Sequence, residues 1–279
     1  MALGVLICSP LMYLFVREAK NLKKDIKIQN LSIFLIPTIV CFIYNIISGT
    51  SMIIEFKYLV ILFFAAMLFS LLGNFFSLNA IQLTSNPGYS LMIQKSYTVF
   101  TTIMAVFLFG SQISVKSIIA IVIVLGFMAL ILIEKTNKKE DNNKWIFYTF
   151  GAFFAFGFLS LTSTYLGNQG LTSTVIIFYL CLFVTIALLI QIFMKKIKLS
   201  FDKKSIGVFV GAGIFASIFN ICQIQGYILA PNPGYISAVN AASIALLSIL
   251  YRIVFKDNLT IRKSIGIVGV LFGLLILFI

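Results

Sequence analysis

The sequence predicts an all-α integral membrane protein: ten transmembrane helices arranged as two inverted five-helix repeats. Three observations predict it. Apolar residues make up 61% of the 279-residue chain and charged residues only 10%, against about 25% charged in a soluble domain. Lipid, not a water-soluble core, has to take up that apolar surface. Ten apolar runs are separated by short polar breaks. Finally, Asn-Pro-Gly-Tyr occurs at 86–89 and again at 232–235, 146 residues on, each time between two apolar runs.

The runs are 2–16, 31–48, 58–83, 87–109, 115–133, 145–166, 172–193, 205–229, 233–255 and 261–279. A bilayer core takes about 20 residues of helix. The first run would span only about 22 Å at 1.5 Å per residue. It therefore reads as a span with little tilt and snorkelling flanks, or one whose start is incomplete. No basic stretch precedes Leu3 and no small-residue cleavage site follows, so the run reads as a retained helix and not a cleaved signal. Bulky Ile7 before Cys8 argues against lipidation there. At the third-to-fourth and eighth-to-ninth junctions, Asn is placed to cap and Pro to open the next helix. These turns are very short, which makes each pair antiparallel neighbours.

The duplication extends past the motif. At an offset of 146, Asn74 aligns with Asn220 and Phe109 with Phe255; at 147, Lys116-Ser117-Ile118 aligns with Lys263-Ser264-Ile265 and Gly126 with Gly273. This predicts a first repeat over 1–134, a polar connecting loop over 135–144 and a second repeat over 145–279. An odd number of helices per repeat turns the halves opposite ways, as in secondary transporters.

The net charge of +13 is spread over short clusters between runs, which excludes the contiguous basic groove that nucleic acid requires. The partners expected are the lipid bilayer and a small-molecule solute. Arg17 to Lys27, Lys135 to Lys144, Lys195 to Lys204 and Arg252 to Lys263 put 18 of the 21 basic residues beside odd-numbered loops. Positive-inside then makes those loops cytoplasmic, with both termini outside, in the plasma membrane. Cys8, Cys41, Cys181 and Cys222 lie inside apolar runs without metal-ligand spacing, and there is no histidine. The cysteines read as small apolar residues, and neither a metal nor another cofactor is expected.

With these features the chain resembles the drug/metabolite transporter superfamily, in particular its ten-helix EamA-like members. The likeness is carried by the layout and by Asn79–Ile133 and Gln225–Ile279. Each has a short turn at the repeated motif, a polar break (Gly110-Ser111-Gln112; Lys256-Asp257-Asn258) and a fifth helix rich in small residues. The stretch Ile253–Ile279 is the nearest match. Two departures stand out. The family often carries Glu in the break, where this chain has Ser111 or Gln112 and Asp257. Its termini are commonly drawn cytoplasmic, whereas the charge count puts them outside. The resemblance implies a pseudosymmetric basket around a central cavity, lined by helices 1, 3, 4, 6, 8 and 9, with 5 and 10 peripheral.

Candidate binding residues are the polar groups inside the runs. No Asp or Glu lies well inside any run; Glu55 and Glu134 sit at edges and Asp257 in a loop. Proton-coupled export of cations usually relies on a membrane-embedded carboxylate, so a cationic-drug/proton antiporter is the less favoured reading. Lys95, eight residues into helix 4 and aligned with Ala241, is the one deep charge. It either meets a carboxylate or phosphate of an anionic or zwitterionic solute, or snorkels about 12 Å to the nearer surface. Ser70, Asn74 and Ser77 share a face of helix 3, and Gly213, Ser217 and Asn220 share one of helix 8. Gln94 and Thr98 follow on helix 4, Gln223 on helix 8 with Tyr227 one turn away, and Asn240 and Ser243 on helix 9. The bland alternative for each is an interhelical hydrogen bond, worth about 0.6 kcal/mol on average. The substrate-binding set is thus Asn74, Gln94, Lys95, Thr98, Asn220, Gln223, Asn240 and Ser243. Tyr89 and Tyr235 read as interfacial anchors. Gly207/Gly211 and Gly269/Gly273 are close-packing spacings.

The chain therefore reads as a carrier that moves a small metabolite, amino-acid-like or otherwise zwitterionic or anionic, by alternating access. A membrane scaffold or sensor is the alternative. An enzyme is not expected, because no intramembrane acid, Ser–His pairing or metal spacing is present.

Overall fold

The computed structural model describes residues 1–22, 26–84, 87–133, 144–196, 202–256 and 258–278, with only the backbone for Lys20, Ile26, Pro87 and Tyr89. Asn86, Glu134, Asp257 and nearly all of the connecting loop lie outside the described residues, as do Lys23, Lys24, Lys135, Lys138, Lys139 and Lys198. The described residues are helical with no strand, and ten helices are long and apolar enough to cross a membrane. We number them α1 (Ala2–Asn21), α2 (Ile26–Ile47), α3, α4, α5 (Val115–Leu132), α6 (Lys144–Asn168), α7 (Ser173–Met194), α8 (Lys203–Leu229), α9 (Pro233–Phe255) and α10 (Ile261–Phe278). α3 runs as Phe56–Phe64, a π-helical stretch Ala65–Leu71 and Leu72–Leu83; α4 consists of α4a (Pro87–Lys95) and α4b (Tyr97–Phe109).

The runs read from the sequence fall inside these helices to within a few residues. The first two are the exceptions, and α2 starts at Ile26, five residues ahead of its run. α1 continues past the apolar run to Asn21, because its basic end remains helical after leaving the apolar layer. The helix ends use local chemistry. Asn232 caps α9, its Oδ1 accepting from Gly234 N at 2.9 Å, with Pro233 opening the helix. Ser114 accepts from Ser117 N to cap α5, and Thr260 accepts from Lys263 N ahead of α10. α4b and α9 both stop on a left-handed residue, Gly110 (φ 62°) and Lys256 (φ 58°). That conformation comes freely to the glycine and against its Cβ to the lysine.

Outward faces are apolar. Ile47, Phe107, Phe147, Phe193, Ile253 and Val268 are each more than half exposed, as suits side chains solvated by lipid. Inside, α1 lies along α8 and α9, while α6 lies along α3 and α4. α2 pairs with α7, α5 with α10, and α4b with α9. The α5–α10 contact is close because Gly266, Gly269 and Gly273 lie against Ile131, Phe127 and Val124. At the end bearing the turns after α1, α7 and α9, Lys204 pairs with Glu18 at 3.0 Å and Arg17 stacks on Tyr251 and Phe255. This is the basic end. At the opposite end Thr174 donates to Asn45 and Tyr58 to Gln169 (2.6 and 3.1 Å).

Candidate functional site

A cavity of about 220 Å3 with several polar side chains in its wall lies inside the bundle. Six of the eight residues singled out in the sequence line it: Asn74 from α3, Gln94 and Lys95 from α4a, Asn220 and Gln223 from α8, and Asn240 from α9. Thr98 and Ser243 do not. Thr98 is fully buried and donates to the carbonyl of Lys95 at 2.9 Å; Ser243 is buried and donates to the carbonyl of Asn240 at 2.7 Å. A helical hydroxyl can satisfy itself on its own backbone in this way, whereas an amide carries too many donors and acceptors to do so.

Lys95 is the last residue of α4a. α4 breaks immediately after it: Ser96 sits at ψ −5°, and the amide of Val99 bonds the Ser96 carbonyl. The Lys95 ammonium donates to Asn240 Oδ1 at 3.2 Å. It therefore turns toward α9 in the interior, which rules out the snorkelling alternative. Asn240 donates in turn to Tyr97 OH at 3.4 Å, whose oxygen lies 3.4 Å from Tyr227 OH, and Gln223 donates to Tyr227 at 2.9 Å. This polar chain joins α4, α9 and α8.

The electrostatics of the cavity are one-sided. The acids among the described residues are Glu18, Glu55 and Asp202. Glu18 pairs with Lys204, Glu55 with Lys57, and Asp202 caps α8. None lines the cavity. Lys95 is thus a cation deep in an apolar bundle whose hydrogen-bond partner is a neutral amide. Removing a charge from water costs several kcal/mol, so an anion entering the cavity is the partner that lowers that cost most.

The amides divide into two kinds. Gln94 is tied down: it accepts from Ser77 at 2.7 Å and donates at 2.8 Å to Ser90, which sits 2.9 Å from Thr149. It clamps α3, α4a and α6 together. Asn74 and Asn220 are half-buried in the cavity wall and make no hydrogen bond with other described residues. Sequence reasoning missed Tyr97, Phe156, Ser160 and Ser163, which also line the cavity. Ser160 and Ser163, one turn apart on the Phe-rich α6, were the legible signal.

The lining also departs from the six helices implied by the resemblance. α2 (Ile33, Phe34) and α7 (Ile177, Leu180, Cys181) contribute apolar floor, because they pair behind the cavity. A vestibule of about 570 Å3 leads outward to the basic end, between Lys27 of α2, Gln82 of α3 and Gln191 of α7. It shares Phe34 and Asn74 with the inner cavity. At the opposite end the helices close on one another. Fully buried Asn232 donates to Thr102 O at 3.1 Å. Gly234 lies against Thr102, Gly226 against Ile236 and Gly167 against Ile228, each without room for a Cβ. The second Asn-Pro-Gly-Tyr is therefore a docking point on α4b as well as a helix start. Its Tyr235 donates to Gln112 O at 3.3 Å.

No protein-family model matches the chain and no curated protein matches it. A solved crystal structure has the same fold. It superposes with a TM-score of 0.80 over 99% of this chain and 95% of its own, at 12% identity. Likeness at that identity carries the fold and nothing beyond it.

Proposed function

We propose that the chain is a carrier of the EamA-like type in the drug/metabolite transporter superfamily, moving a small anionic or zwitterionic metabolite by alternating access, without catalysing a reaction. The observation that carries this reading is the cavity. Among the described residues it holds one cation, two amides without a hydrogen-bond partner and no acid, and it opens at one end and is sealed at the other. At about 220 Å3 it is smaller than the roughly 300–1,000 Å3 of a drug-sized site, which favours a small solute.

The inverted-repeat reading draws support from the packing. Exchanging each helix for the one five places on turns α1 on α8 and α9 into α6 on α3 and α4, and returns α2–α7, α5–α10 and α4–α9 to themselves. The basic end is the cytoplasmic one by charge, so the cavity faces inward and both termini lie outside. The absence of an acid from the described lining weighs against cation/proton antiport. A scaffold has no need of a half-sealed polar cavity.

The test is an uptake and efflux screen in proteoliposomes with a pooled metabolite library, repeated with Lys95→Ala. Movement of anionic or zwitterionic solutes that the variant loses is the expected result. If nothing moves in either direction under any ion gradient, the carrier reading is wrong.

A further inference from the structure

The wall of the bundle is unequal. α7 packs against α8, but the corresponding pair, α2 and α3, makes no comparable contact among the described residues. The vestibule occupies this gap. Met67 and Leu71, from the π-helical stretch of α3, form its inner wall, while Leu72 and Phe75 on its lip are 36% and 51% exposed. Leu72 and Phe75 lie about 17 and 12 Å along α3 from its end at Leu83, at the depth of acyl chains. The gap therefore opens sideways to the bilayer as well as to the basic end.

We propose that this gap is a lateral portal through which a single-chain amphiphile with an anionic head enters from the leaflet at the basic end. What happens after entry rests on the carrier reading; the binding does not. Two features select such a ligand. Charge is complementary at the inner end, where Lys95 stands and no described acid lines either space. Polarity is also ordered. Lys27 and Gln82 stand at the membrane surface, and large apolar side chains line the middle. Asn74 waits where the two spaces meet, with no hydrogen bond to another described residue. Asn74 is about 14 Å along α3 from Leu83, so a head bound at the mouth moves that far to reach it, the tail trailing between α2 and α3. An ordinary annular lipid would use the apolar lip but has no use for an amide and a lysine beyond it.

The test is photolabelling of the full chain in phosphatidylcholine nanodiscs. The probes are hexadecanoic acid bearing a diazirine in its chain and the matching hexadecanol. Cross-links mapped by mass spectrometry are expected at 26–34 of α2 and 67–79 of α3. The acid should exceed the alcohol about fivefold or more, because only its head meets the charge of Lys95. Lys95→Gln should lower the acid's labelling toward that of the alcohol, and Leu72→Trp, which fills the lip, should remove labelling by both. Equal labelling by acid and alcohol, or cross-links spread around the bundle, would overturn the portal. A protein that takes the label yet moves no solute in proteoliposomes keeps the portal and loses the carrier reading. One that moves soluble anions and takes no label does the reverse.

Discussion

α4 and α9 both start at an Asn-Pro-Gly-Tyr and both end on a left-handed residue, yet they differ at their middles. α9 is continuous through Ala241, which is fully buried, whereas α4 stops at Lys95 and resumes at Tyr97. Their preceding helices differ in the same sense, for α3 contains a π-helical stretch and α8 is α-helical throughout. π segments and helix breaks are weak points that persist where function or packing retains them. In the irregular pair α3 lines the vestibule and α4 carries the buried cation. The regular pair forms the sealed end, where Asn232 and Gly234 dock on Thr102. The cavity's polar groups nonetheless come from both halves, Lys95 from the irregular pair and Asn220, Gln223 and Asn240 from the regular one.

The comparison can be broken most severely by moving the charge. Ala241→Lys places a cation at a fully packed position without the cavity that Lys95 enjoys. An unpaired buried charge costs several kcal/mol, against a total stability of about 5–15 kcal/mol. The expected outcome is loss of monodisperse protein on size-exclusion chromatography, and a well-folded variant would show that the halves are interchangeable. Next is Lys95→Ala, which removes the cation proposed to meet the anion and should lower uptake efficiency about 30-fold or more. Protein yield should stay near wild type, because only a neutral amide loses its partner. Lys95→Arg should restore part of the activity.

The third prediction concerns the seal. Gly234→Ala drives a methyl group into Thr102, and overpacking of this kind costs about 1–3 kcal/mol. That cost falls on the state in which α9 is docked. A cysteine introduced at Asn220, with the native cysteines replaced, should then react about fivefold faster or more with an impermeant thiol reagent applied from the end opposite the basic one. Unchanged reactivity would mean that the docking does not gate access. A smaller contrast lies between Gly126 and Gly273, aligned in the two halves. A Cβ at Gly126 meets open space and one at Gly273 meets Val124 and Ile123. Gly126→Ala should leave the thermal midpoint unchanged or raise it, by up to about 1 kcal/mol in helix propensity. Gly273→Ala should lower it, by about 1–3 kcal/mol of crowding. Smallest is Thr98→Val, which forfeits one hydroxyl-to-carbonyl bond worth about 1 kcal/mol or less and should leave solute selectivity untouched.

Much of this fold is legible in the sequence because lipid imposes simple rules. A span has to be apolar and long enough, and a polar break has to end it. The Asn232 cap and the Gly110 stop follow from local backbone chemistry for the same reason. The π stretch of α3 and the break in α4 are different. Neither contains a glycine or proline among Ala65–Leu71 or at Lys95–Tyr97, so no local signal marks them. The candidate site divides along similar lines. Asn74, Asn220, Gln223 and Asn240 were readable because an amide in an apolar run demands partners from elsewhere. Thr98 misled because its hydroxyl is content with its own helix, and Ser243 because its hydroxyl is taken up by its own helix and by Ser9 of α1. Tyr97 and Phe156 were indistinguishable from the many packing aromatics until their positions were known.

By itself, then, the sequence determined ten apolar spans, the repeated Asn-Pro-Gly-Tyr, the clustering of positive charge at one end and the presence of one deep lysine. All of these are properties of single segments measured against water and lipid. Only the tertiary structure decided that Lys95 turns inward to Asn240, that the wall stands open between α2 and α3 and that the second motif docks on Thr102. Each of these depends on which helix face meets which. Between helices already immersed in lipid, that choice is made by close packing and a few hydrogen bonds, of which one segment holds only half.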